Sequence, residues 1–161
     1  MDRLEQVRQA VDEIVKQQPD DGYRRAAWIH LYGVSLTCGL LALKRGLDVQ
    51  LAQVAGMLHD LSTYQRADST DHDRLSAHAA RRLLGEVGLF SQKETDTICR
   101  AILHHRAKGE VHAPMDELLK DADVLQHDLY NPAFKQQASE EPRIAAVLAE
   151  LGISWCQAPA L

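Results

Sequence analysis

From residue 3 to residue 150 the apolar residues return every three or four positions, and nowhere do they alternate with polar ones over a strand's length. That periodicity commits the chain to helices packed through apolar stripes. It predicts helices over 3–18, 21–44, 48–61, 73–86, 91–106, 114–130 and 142–150, an all-α bundle of about six to seven helices. The punctuation agrees. Pro19 closes the first helix, Gly46 caps the second and Asp48 opens the third. Ser91 with Glu94 forms a capping box, and Pro114 suits a first helical position. The polar runs 63–71 and 107–113 read as loops, and 135–143 as a mobile connection. With 161 residues and no internal repeat, the chain is expected to be one domain. Its core falls at about 22–130, preceded by the helix 3–18 and followed by a short helix and tail over 133–161.

A formal net charge of −5 disfavours a nucleic-acid polymer as partner. Cys38, Cys99 and Cys156 are odd in number, far apart and without a CxxC, so reduced thiols are expected rather than a disulfide framework. No apolar run approaches 18 residues and the start, MDRLEQVRQA, is charged, so neither a membrane span nor a signal peptide is expected. The expectation is a cytoplasmic monomer or homodimer.

Histidine is the unusual residue, with six of its eight occurrences between positions 59 and 112. Helical phase sorts them. In the second helix His30 lies in a stripe with Tyr23, Ala27, Val34, Cys38 and Leu41. In the third, His59 follows Leu51 and Ala55, with Asp60 beside it. The stripe of helix 73–86 (Leu75, Ala79, Leu83) puts His72 within about 20° of its centre and His78 about 100° away. In helix 91–106, His105 falls about 60° from Ile102 and His104 about 160° away. Asp121 and Asp123 flank the stripe Leu118, Ala122, Leu125, Leu129 on opposite sides. Asp123 is preferred because its flank is less polar, with Asp121 as the alternative. Four inward histidines and two carboxylates on five separate helices are costly to bury unpaired, at about 1–3 kcal/mol each. A shared metal removes that cost. The imidazole–carboxylate mixture suits Fe, Mn, Co, Ni or Zn better than Mg, which stays possible.

His30, then GMLHDLS with His59 and Asp60, then LLKDADVL with Asp123, resembles the H…HD…D signature of the HD superfamily of metal-dependent phosphohydrolases. The resemblance covers about residues 22 to 130. It implies an all-helical HD fold and makes His30, His59, Asp60 and Asp123 the ligands of a first metal. The run HDRLSAHAARRLLGEVG resembles the segment carrying an extra histidine in two-metal members, at His72. The run AILHH resembles their AIxxH segment, at His105. The resemblance then implies one or two ions, with Asp60 bridging. These segments also resemble bacterial symmetrical diadenosine-tetraphosphate hydrolases. The stretch RAKGE after His105 lacks that group's Thr-rich motif, and no GYP segment of the cyclic-di-GMP phosphodiesterases is present.

The expected function is therefore hydrolysis of a small phosphorylated molecule, a nucleotide or dinucleotide polyphosphate, by metal-activated water, with Asp60 and His59 as catalytic residues. Arg66, His104, Arg106 and Lys108 lie in or beside the central loops and are candidates to hold substrate phosphates. Two alternatives stand beside this reading: a non-catalytic metal- or nucleotide-binding regulatory module, and oxidative chemistry at a di-iron centre of the oxygenase type.

Overall fold

The computed structural model describes residues 2–130 and 140–154. Among the described residues eight helices follow one another: α1 (Arg3–Lys16), α2 (Asp21–Arg45), α3 (Val49–Leu58), α4 (Leu61–Arg66), α5 (His72–Val87), α6 (Gln92–His104), α7 (Pro114–Tyr130) and α8 (Glu141–Glu150). No strand occurs among the described residues. The start of the expected connection 135–143 lies outside them, as does the end of the tail; its last residues, from Glu141, begin α8.

α2 is the central element. Gly46 ends it at φ 65°, a left-handed conformation that leaves its N–H free to donate to the Ala42 carbonyl. The chain reverses within three residues, and Asp48 accepts from the Leu51 N–H to start α3. α3 therefore returns antiparallel along α2. The two backbones come close at Gly56, where an added Cβ would meet the Ser35 Cα and N at 2.9 Å. α7 packs on the other flank of α2, α5 and α6 form a hairpin against α3, and α1 lies over α3 and α5. The core runs through Leu31, Val34, Leu41, Val54, Met57, Leu58, Ile98, Ile102, Leu118 and Leu119, all fully buried. By length and composition alone α2 would also be long and apolar enough to cross a membrane, although its apolar residues are interrupted. Half of the stretch concerned is buried within the bundle, as suits a core helix.

Three local expectations are corrected. Residues 63–71 do not form a continuous loop, because α4 occupies Leu61–Arg66. Leu61 and Ser62 are buried there, and Gln18 donates to the Tyr64 carbonyl at 2.6 Å, so tertiary contacts hold a polar segment helical. The third helix stops at Leu58 rather than running through to Leu61. Asp60 breaks the helical path at φ −115° and ψ 16°. The inner face of α5 is turned about one residue from the expected stripe. Leu75 is exposed, while Ser76, Ala80, Leu83 and Leu84 are buried. The Ser76 hydroxyl tolerates burial because it accepts from the Ser62 N–H at 3.1 Å and pairs with the Ser62 hydroxyl at 2.8 Å. Tyr23 and Leu129, placed in stripes by phase, are likewise exposed.

Candidate metal centre

Five helices or helix ends deliver side chains to one interior point. His30 comes from the middle of α2, and His59 and Asp60 from the break between α3 and α4. His72 is the first residue of α5, His105 follows α6, and Asp123 lies midway along α7. His30, His59, His105 and Asp123 are buried, and Asp60 and His72 are nearly so.

Each of the four histidines engages one ring nitrogen with its own scaffold. The Nδ1 of His59 donates to the Gly56 carbonyl at 2.8 Å, that of His72 to the Ser69 carbonyl at 2.8 Å, and that of His105 to the Ile102 carbonyl at 2.6 Å. His30 Nδ1 meets Gln126 Oε1 at 2.8 Å. A carbonyl only accepts, so Nδ1 carries the proton and Nε2 presents a lone pair. This is the arrangement in which outer partners orient metal-binding imidazoles.

The Nε2 atoms converge in two pairs. His30 Nε2 lies 3.1 Å from His59 Nε2, and His72 Nε2 lies 3.2 Å from His105 Nε2. Around the first pair, Asp60 Oδ2 is 3.6 Å from His30 and 3.7 Å from His59, and Asp123 Oδ1 is 3.5 Å from each. Four donors about 2.1 Å from one ion would stand about 3.4 Å apart if tetrahedral. Around the second pair, Asp60 Oδ1 is 3.5 Å from His72 and 3.4 Å from His105. The two oxygens of Asp60 thus face two different donor groups. Asp60 Oδ1 and Asp123 Oδ1 are both buried without a hydrogen-bond partner. Lone pairs facing one another beside orphaned carboxylate oxygens are unfavourable until a cation lies between them. The residues present therefore fit a divalent metal.

Both carboxyls are held ionised and so available as donors. Burial alone would raise the pKa of Asp60, but the His59, His105 and His30 imidazoles outweigh it and hold the carboxyl well below its usual range. Burial likewise pushes Asp123 up, and the Lys108 ammonium with His59 and His30 brings it well down. Lys108 contacts the other oxygen of Asp123, Oδ2, leaving Oδ1 turned to the histidines. Asp121 faces away, paired with Arg45 at 2.7 Å and Arg143 at 2.6 Å. It is buried but neutralised, not wetter as its flank suggests.

A cleft of about 520 Å³ reaches the cluster at His30 and is lined also by Arg25, Ile29, Tyr64, Gln126, His127 and Tyr130 among others. Of the four basic candidates for substrate phosphate, only Lys108 reaches the donor cluster, and none lines this cleft. Arg66 sits on α4 and pairs with Asp68 at 3.1 Å. His104 is held by buried Asp116 at 2.8 Å, which is why it turns from the cluster that the adjacent His105 joins. Arg106 is exposed. The cation on the cleft wall is Arg25, which sequence reasoning passed over. His127 was passed over too, although its position one turn after Asp123 on α7 is a usable signal. Its ring stacks on His30 at 4.6 Å between centroids, and burial lowers its pKa while Asp123 opposes the shift.

Comparison with known proteins fits this geometry. The chain is 34% identical over 96 residues to ribonuclease Y of Desulfotalea psychrophila, a match covering 60% of this chain and 17% of that protein. It is 31% identical over 97 residues to ribonuclease Y of Lawsonia intracellularis, again with 60% and 17% covered. The chain thus spans about a sixth of the length of these relatives. The crystal structure of a predicted HD superfamily hydrolase from an uncultured Thermotogales bacterium superposes with a TM-score of 0.62 at 23% identity, covering 89% of this chain and 88% of that one, and shares the fold. Residues 27–144 match the HD domain family, with all six converging histidines and aspartates inside the match. By that match, made over most of its length, the chain belongs to the HD-domain superfamily of metal-dependent phosphohydrolases.

Proposed function

We propose that this HD domain hydrolyses a small phosphorylated molecule, a nucleotide or dinucleotide polyphosphate, at a two-ion centre. His30, His59, Asp60 and Asp123 hold the first ion, and Asp60, His72 and His105 hold the second. The observation that carries the reading is the placement of the two Asp60 oxygens, one 3.6 Å from His30 and the other 3.4 Å from His105. The imidazole–carboxylate donor set favours Fe, Mn, Co, Ni or Zn over Mg. Such ions neutralise phosphoryl oxygens and lower the pKa of bound water to about 7.

The protein's own groups do the rest. Asp60 fixes the separation of the two donor groups. His59, with no exposed surface, anchors the first rigidly. Lys108 balances the charge of Asp123 and keeps one of its oxygens out of the centre. Arg25 offers a positive charge on the cleft wall, and Ile29, Tyr64 and Tyr130 give the non-reacting part of the substrate an apolar seat. A cleft of about 520 Å³ suits a compact substrate. The relatives named ribonuclease Y favour a second reading, in which the scissile bond is an RNA phosphodiester.

The test is a panel of nucleotides, dinucleotide polyphosphates and RNA, assayed with Mn²⁺, Fe²⁺, Co²⁺, Ni²⁺ and Mg²⁺. Release of phosphate or a nucleoside monophosphate, abolished by chelator, is expected. Preferential cleavage of long RNA would replace the substrate class. Silence with metal demonstrably bound would favour a binding module, and oxygen uptake by the reduced protein would favour di-iron chemistry.

A further inference from the structure

His127 stands beside the donor cluster, yet the two-ion assignment gives it no task. It lies one helical turn after Asp123 on α7, with its Nε2 4.0 Å from Asp123 Oδ1. The ligating atoms of His30, Asp123 and His127 all fall within 4.8 Å of one another. Where His30, His59 and Asp123 are buried, the side chain of His127 is 45% exposed, and its ring forms part of the cleft wall. It therefore occupies the boundary between the first donor group and the space a substrate would enter.

The distances distinguish it from the other donors. The four assigned donors stand about as far apart as a tetrahedral set, and such a site can take a fifth ligand. At 4.0 Å from Asp123 Oδ1, against 3.5 Å for the assigned histidines, His127 Nε2 lies about half an ångström beyond that spacing. His59 could not travel that far, being fully enclosed. The His127 ring, 45% exposed at the edge of the cleft and stacked on His30, is less closely enclosed. The four donors assigned to the first ion come from α2, the α3–α4 break and the inner flank of α7. His127 stands on the cleft side of these four donors, where a fifth ligand would approach the ion.

We propose that His127 is a displaceable ligand of the first ion, closing its cleft-side position in the substrate-free protein and giving way to a phosphoryl oxygen. The inference rests on the two-ion reading above. It gives the cleft a gate made of one side chain: the ion is protected until an anionic oxygen competes for the same corner. No bond other than the metal–ligand bonds is made or broken, and the imidazole leaves neutral.

The experiment titrates Co²⁺ into the metal-free full chain and into His127→Ala, His127→Gln and His59→Ala, by calorimetry and visible absorption, and then adds inorganic phosphate. His127→Ala is expected to weaken the tighter Co²⁺ step by roughly tenfold or more, with a changed visible band and unchanged melting of the metal-free protein. His127→Gln should fall between His127→Ala and the parent. Phosphate should shift the parent's band toward that of His127→Ala, and should bind the cobalt-loaded His127→Ala more tightly because nothing has to be displaced. Equal Co²⁺ affinity and identical spectra for parent and His127→Ala, with His59→Ala losing the metal, would overturn this inference and leave the two-ion reading standing. Weakened Co²⁺ binding with no phosphate effect on the band would make His127 a fixed ligand and overturn displacement. A parent chain that binds no Co²⁺ would overturn both.

Discussion

His59 shows how a single residue is given a direction. Its Nδ1 donates to the carbonyl three residues back, so its Nε2 points out of the helix end toward His30. Asp60 follows at a break, where its backbone leaves the helical region and both carboxylate oxygens turn inward. His59→Ala should abolish tight binding at the first ion, and Asp60→Ala should lower metal content at both, while far-ultraviolet circular dichroism stays helical. Full metal content in both variants by elemental analysis would remove the assignment. His72→Ala and His105→Ala should empty the second site selectively, and exposed His78 should be silent. His104→Ala has a different consequence. Among the described residues it leaves Asp116, which has no exposed surface, with Arg100 as its side-chain partner, so it should cost roughly 1–3 kcal/mol of stability at unchanged metal content. Denaturant titration alongside metal analysis separates these outcomes.

At the level of elements, the centre depends on how closely α2 and α3 approach. Gly56 makes that approach possible, since any Cβ there would press on Ser35 backbone and the Cys38 sulfur at 2.9 Å. Gly56 also supplies the carbonyl that orients His59. Gly56→Ala should force the helices apart at a cost of about 1–3 kcal/mol. It should also weaken metal binding, because His59 is carried away from His30. A variant with lower melting temperature but undiminished metal affinity would show that the donors adjust independently of helix spacing. The short α4 plays a related part. Its buried Ser62 binds Ser76 of α5, which sets the approach of the helix whose first residue is His72.

Across the whole molecule, a charged network ties the last described helix to the bundle. Arg143 of α8 donates to Asp121 and Glu117 of α7, and Arg45 of α2 joins Asp121 to Glu150. Burial alone would raise the pKa of Glu117, but Lys120, the His112 N–H and Arg143 lower it from 4.5 to about 2. A carboxyl depressed in the folded state contributes stability above its unfolded pKa and loses it as pH falls through the folded value. Melting temperature should therefore drop between pH 4.5 and about 2. Glu117→Gln should flatten the curve in that window, and an unchanged slope would assign acid sensitivity elsewhere.

The sequence by itself determined that the chain is helical, where most helices begin and end, and that four histidines and Asp60 point inward, with Asp121 and Asp123 left as alternatives for the second carboxylate. Capping and periodicity are local: Gly46, Asp48 and the Ser91–Glu94 box act within one turn of the residues they name. The helix 61–66, the turned inner face of α5 and the break at Asp60 were settled by partners far along the chain, Gln18 and Ser76 among them. Only the tertiary structure decided that Asp121 is neutralised by Arg45 and Arg143 while Asp123 faces the donors. It alone put Lys108 against Asp123, Arg25 and His127 on the cleft wall, and His104 against Asp116. Helical phase gives the side of a helix a residue occupies. What waits on that side is fixed by how the helices cross, and that depends on close approaches such as Gly56 with Ser35 that no local pattern encodes.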